Sequence, residues 1–187
     1  MPEIFIIAGC NGAGKTTAAY NLLPEVFKTV EFINADEIAR GLSPLNPTGV
    51  AFQSGRIMLE RLEQLISEQK SFSFETTLSG TAYLNLIKNA KEKGYGVTLF
   101  FVCLKNVSLA VERVAIRVSK GGHNIPKNVI ERRFTKGIKN LPLYSTLVDD
   151  WYIYDNTGVE YELVAKSVGK EQKILNFELY NILVKNG

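Results

Sequence analysis

One histidine and two cysteines are all that this 187-residue chain offers to imidazole or thiolate chemistry. His123 has no second histidine or cysteine spaced to join it, which argues against a zinc-type site. Cys10 and Cys103 form neither a metal-binding nor a redox spacing, and they point to a reducing compartment. Long apolar runs are missing as well. The longest, residues 97–104, has the length of a strand, so no membrane-spanning helix is expected. No N-terminal signal or transit pattern is seen, because the first three residues lead straight into a strand-like run. The expected location is therefore the cytoplasm. A net charge of +3 is too small to argue for nucleic acid as a partner. No repeat, low-complexity tract or long linker interrupts the chain, so residues 1–187 read as one domain, with a lid at about 117–135.

What the chain does have is a full phosphate-loop pattern, Gly9-Cys10-Asn11-Gly12-Ala13-Gly14-Lys15-Thr16. It follows the apolar run at residues 4–8 and precedes a segment able to start a helix. That context gives the letters meaning, since such a loop works only between a strand and a helix. Glycines let backbone N–H groups curl around phosphate oxygens where a Cβ would clash or φ must be positive. The helix that follows turns its positive end toward the same oxygens. Gly9, Asn11, Gly12, Ala13, Gly14, Lys15, Thr16 and Thr17 are the expected nucleotide contacts. Lys15 can reach the β- and γ-phosphates, and the Thr16 hydroxyl can serve Mg²⁺. ATP and Mg²⁺ are the expected cofactors.

Strands and helices alternate along the rest of the chain. Strands are expected at residues 3–8, 30–34, 71–75, 97–104, 151–154 and 161–165. Helices are expected at 15–23 (stopped by Pro24), from Asp36 to Arg40, along the Met58, Leu62, Leu65 and Ile66 stripe, at 82–93, at 108–118, from Pro126, and at 171–185. Such alternation predicts an α/β, three-layer phosphate-loop NTPase fold, with a mostly parallel sheet of five or six strands and a small helical lid. Active residues then belong at the carboxyl edge of the strands. This selects the phosphate loop, residues 34–37, residues 75–77 and residues 155–156.

Asp36, just past the second strand and expected beside the loop, can accept a proton from an attacking hydroxyl or hold a water on Mg²⁺; it is equally a good helix N-cap. Glu75 stands where many phosphate-loop proteins carry the acidic Walker B residue. Glu75 can organise Mg²⁺ through water or, with Thr77 in the hydroxyl-rich turn behind it, bind substrate, whereas Ser79 reads as a helix cap. Arg113 and Arg117 are four apart and share a helix face, opposite the apolar valines at 107, 111, 114 and 118. Arg132 and Arg133 lie beyond the Gly-rich stretch that suits a lid. One arginine of each pair is expected to neutralise phosphoryl charge, and Arg117 is assigned to catalysis. His123 is read as a phosphate contact on lid closure or as an exposed loop residue. Arg56 is assigned to an anionic substrate, with an ion pair to Glu60 as the plainer reading. Asn156 can hydrogen-bond adenine or simply form a turn.

Three blocks carry a resemblance: residues 8–17 around the phosphate loop, Phe32-Ile33-Asn34-Ala35-Asp36-Glu37-Ile38-Ala39, and Phe72-Ser73-Phe74-Glu75-Thr76-Thr77-Leu78-Ser79-Gly80. Together with Gly121-Gly122-His123-Asn124-Ile125-Pro126, Arg132-Arg133-Phe134 and Tyr154-Asp155-Asn156, they resemble the zeta-toxin-like phosphate-loop kinases. The likeness runs from about residue 3 to residue 158. It implies a kinase that transfers the γ-phosphate of ATP to a hydroxyl of a small molecule such as UDP-N-acetylglucosamine, with a small antitoxin protein as partner. By position it implies Lys15 and Thr16 on phosphate and Mg²⁺, Asp36 as base, and Glu75 and Thr77 in the substrate pocket. Arg113 or Arg117, with Arg132 or Arg133, would clamp the phosphates. The residues themselves leave two rivals open: an NTP-driven switch or ATPase acting on a protein partner, and a nucleic-acid end kinase.

Overall fold

The computed structural model describes residues 1–22, 31–122 and 124–185. The expectations placed on Leu23, Pro24, Val30 and His123 fall outside them. Among the described residues one seven-stranded sheet forms the middle layer, in the order β2-β3-β1-β4-β5-β6-β7. Its parallel part consists of β1 (Glu3–Gly9), β2 (Phe32–Ile33), β3 (Phe72–Thr76), β4 (Gly96–Cys103) and β5 (Asp150–Asp155). The antiparallel strands β6 (Glu162–Val168) and β7 (Glu171–Ile174) extend it at one side. β1 is almost wholly buried, as a central parallel strand covered on both faces must be.

Alternation along the strands sends side chains to two faces. On one face Ile4, Ile6, Phe72, Phe74, Leu99 and Phe101 pack against α3 (Ala51–Ser67), α4 (Ala82–Glu92), the distal part of α6 (Lys127–Ser145) and α7 (Phe177–Lys185). On the other, Ile7 meets Ala19 of α1 (Lys15–Leu22), and Val102 meets Ala110 and Val114 of α5 (Val107–Ser119). The valine face expected on α5 is present, with Val114 buried and Val111 and Val118 partly so.

β2 pairs with β3, and α2 (Ala35–Leu42) follows it, bringing Asp36 to the cavity over the phosphate loop as expected. One expectation changes. The helix expected over 171–185 is a strand followed by a helix. Gly169 takes φ +57°, which lets β6 turn back through a tight hairpin, and Val168 then faces Glu171 across the pair. The Asn176 side chain accepts from the Leu179 N–H and starts α7 only after β7 has ended. Among the described residues no helix is long and apolar enough to cross a membrane.

Candidate functional site

The phosphate loop leaves β1 at Gly9 and enters α1 at Lys15. Its glycines are needed for different reasons. A Cβ on Gly9 would stand 2.1 Å from the Val102 carbonyl oxygen, because the loop lies against β4. Gly14 has φ +90°, and a Cβ there would meet Asn156 Nδ2 at 2.6 Å and Tyr161 Oη at 2.7 Å. Cys10 faces α5 and its burial pushes the thiol up to about 11, against a smaller opposing pull from Lys15.

Charge gathers on the β3 side of this loop. Lys15, only 5% exposed, donates from Nζ to the Cys10 carbonyl at 3.0 Å and lies 3.3 Å from Glu75 Oε1. The Thr16 hydroxyl donates to Glu75 Oε2 at 2.6 Å, and Asn34 Nδ2 donates to the same oxygen at 3.0 Å. Register explains the meeting: Ile7 pairs with Glu75, so the carboxylate stands beside the start of the loop. Asn34, not Asp36, caps α2, with its side-chain oxygen accepting from the Asp36 N–H at 2.8 Å. The Asp36 carboxyl therefore has no capping duty.

Two cavities meet at this cluster. One of about 290 Å³ runs over the loop and is lined by Gly12, Gly14, Thr17, Arg40, Arg113 and Arg117 among others. The second, about 230 Å³, lies over α3 and the turn after β3, against Gly55, Thr77, Ser79, Tyr83 and Arg133. Asn11, Lys15, Asn34, Asp36 and Glu75 line both. The Arg133 guanidinium donates to Asn11 Oδ1 at 3.3 Å. Burial lowers its pKa, with nearby Asp36 acting in the opposite direction. The turn itself is held in an uncommon shape: Leu78 has φ +51° and is fully buried. α6 keeps it there, with Asn140 donating to the Leu78 carbonyl, Tyr144 to the Gly80 carbonyl, and Gly137 leaving room for Thr77. Ser79 shares a hydrogen bond with Thr77 at 2.8 Å, and α4 begins at Thr81 with no side-chain cap.

The other expected residues are placed as follows. Arg113 lines the loop cavity and donates to the carbonyls of Thr157 and Gly158. Arg117 lines the same cavity. Arg132 is exposed and borders none of the cavities described. Arg56 is not brought to the site; it is exposed on α3 and pairs with Glu60 at 3.7 Å, one turn along. The amide of Asn156 donates to the Ala13 carbonyl at 2.8 Å, so this group holds the loop. Tyr161 does the same for the Gly14 carbonyl at 2.9 Å. Sequence reasoning passed over Tyr161 because nothing marks a tyrosine at a strand start as a loop contact. The connection between α5 and α6 spans residues 120–126, and the ends of the expected lid at 117–135 are helical. A further cavity of about 620 Å³ separates that connection from residues 40–48 and shares Arg40 with the loop cavity.

Oxygen donors suited to Mg²⁺ are present in the Thr16 hydroxyl and the Glu75 carboxylate, 2.6 Å apart. Among the described residues no group of three His, Cys, Asp or Glu could hold a metal alone. This donor set fits an ion bound jointly with substrate phosphates, as Mg²⁺ usually is.

An uncharacterized protein of Haemophilus influenzae is 32% identical over 127 residues, covering 67% of this chain and 88% of its own. In the crystal structure of the AvrRxo1-ORF1:-ORF2 complex with ATP, one chain matches 98% of this chain with a TM-score of 0.82 at 20% identity. This chain spans only 64% of that one. The PezAT toxin–antitoxin system of Streptococcus pneumoniae supplies a match over 99% of this chain and 85% of its own, with a TM-score of 0.63 at 14% identity. At these identities the structural matches speak for the fold. The zeta toxin family matches residues 1–162, and the chain belongs to this family of phosphate-loop kinases.

Proposed function

We propose that the protein is an ATP- and Mg²⁺-dependent kinase that passes the γ-phosphate to a hydroxyl of a small molecule, a UDP-sugar being the first candidate. The observation that carries this reading is the pair of cavities with one shared wall. A triphosphate on the loop and an acceptor against Thr77 and Tyr83 would approach each other at Asp36, with a carboxylate and a lysine already in place. A switch or a simple ATPase has no need of the second cavity.

In this scheme Asp36 takes the proton of the acceptor hydroxyl, and the freed oxygen attacks the γ-phosphorus as the bond to ADP breaks. Lys15 offsets charge on the transferring group, joined by Arg113 or Arg117 from α5 and by Arg133 across the cavity. Mg²⁺, when bound, would be held by Thr16 and Glu75 with the phosphates, and would neutralise charge on the β- and γ-oxygens. Residues 120–126 would act as the lid. An antitoxin-type protein partner is part of the proposal, supported by the two-protein complexes among the similar structures. The experiment is incubation with γ-labelled ATP and fractionated metabolites, UDP-sugars included, and identification of the labelled product. Asp36→Asn should keep ATP binding and lose about 10³-fold in transfer. Transfer at the wild-type rate by that variant would refute the assigned base.

A further inference from the structure

We infer that Asn34 is a positioning residue that fixes the spacing between the two carboxylates of the site, an inference that rests on the kinase reading above. Its side chain is 7% exposed and both of its ends are engaged. The oxygen accepts from the Asp36 N–H at 2.8 Å and so sets the first turn of the helix that carries the base. The nitrogen donates to Glu75 Oε2 at 3.0 Å. Neighbouring strand ends make this reach short, since Ile33 pairs with Phe74 one residue earlier.

Few side chains can do both jobs. Serine and aspartate cap helices as well as asparagine does. Serine, however, has no group long enough to arrive at Glu75, and aspartate would bring a second carboxylate against it. Among the described residues three donors hold Glu75, and two of them, Lys15 and Thr16, belong to the phosphate loop and would turn to a bound nucleotide. Asn34 is the remaining tie. It keeps Glu75 in place while the loop lets go, and it keeps Asp36 at a constant distance from it. The cavity that receives ATP and the cavity that receives the acceptor thereby stay in register.

The test compares full-length Asn34→Ser and Asn34→Asp with the wild type. Asn34→Ser, which keeps a cap, should bind an ATP analogue within about threefold of wild type and lose about 30-fold in kcat with little change in KM for ATP. A second readout needs no activity. In Asn34→Asp/Glu75→Gln the donor and acceptor are exchanged, so the unfolding constants of the single variants should fail to combine, by about fivefold or more, in favour of the double variant. Wild-type kcat in Asn34→Ser or additive unfolding constants would each overturn the inference. A wild-type protein that phosphorylates nothing would refute the kinase reading instead, and the coupling of unfolding constants would then decide the tie.

Discussion

The phosphate loop lies between two walls of different chemistry. On the β3 side, the Glu75 carboxylate takes Lys15, Thr16 and Asn34 side chain to side chain, and Asp36 lines the same cavities. On the β5–β6 side, Asn156 and Tyr161 grip backbone carbonyls of Ala13 and Gly14, and Arg113 is itself held by the carbonyls of Thr157 and Gly158. The first wall offers groups that can move protons and offset charge. The second fixes the path of the main chain. A phosphate loop must present its N–H groups at set positions, and a few tenths of an ångström of drift would weaken all of them together. Proton transfer and the shaping of the loop have been given to opposite sides.

Substitutions can test that division. The largest effect should come from the charged wall: Glu75→Ala is expected to lower single-turnover phosphoryl transfer by about 10²–10³-fold, as the loss of a charge-organising group does. A fall in transfer no larger than that of a loop-side variant would break the comparison. On the shaping wall, Gly14→Ala would drive a methyl group into Asn156 and Tyr161 at positive φ. It should cost about 2–3 kcal/mol in urea unfolding and weaken ATP binding.

Cys10 sits between the walls, and its effect follows from pH. Its thiol is raised from 9.0 to about 11 in the folded protein, so the unfolded chain ionises first. The associated stability is complete below pH 9 and drains away as pH rises toward 11, by on the order of 2 kcal/mol. Urea unfolding at pH 8 and pH 10.5 should show a smaller decline for Cys10→Ala than for wild type. The smallest effect is expected from Tyr161→Phe, which removes one hydrogen bond to the Gly14 carbonyl. It should cost about 1 kcal/mol and raise KM for ATP a few-fold with kcat unchanged. A fall in kcat with KM unchanged would place Tyr161 with the chemistry instead of the shape.

The two walls were not equally legible in the sequence. Asp36 and Glu75 can be found because ionisable residues at the carboxyl ends of parallel strands have a limited range of uses. Lys15 and Thr16 are fixed by the loop pattern itself. Asn34 stood in view inside its motif, yet nothing local says that an asparagine both caps a helix and reaches a neighbouring strand; that depends on β2 lying beside β3. Tyr161 was hidden for a similar reason. Its contact with Gly14 joins residues 147 positions apart and exists only because β6 folds back along β5. Arg56 shows the opposite error. Charge type and helix spacing suggested a substrate contact, but its face of α3 turns to solvent. The strand at 171–174 escaped detection because four mostly polar residues carry no period of their own, and the hairpin through Gly169 supplies the pairing.

The grip of Glu75 on Lys15 and Thr16 has a thermodynamic consequence. The loop lysine faces a negative group of the protein itself, so a triphosphate competes with Glu75 for the same cation. Association is then an anion exchange, and the measured affinity is the difference between two favourable states. Neutralising the resident anion as Glu75→Gln should tighten the binding of nucleotide without Mg²⁺, even as it slows the reaction. Titration calorimetry in the presence of a chelator would show this as a lower Kd, and a weaker or unchanged Kd would mean that the carboxylate does not compete for the loop.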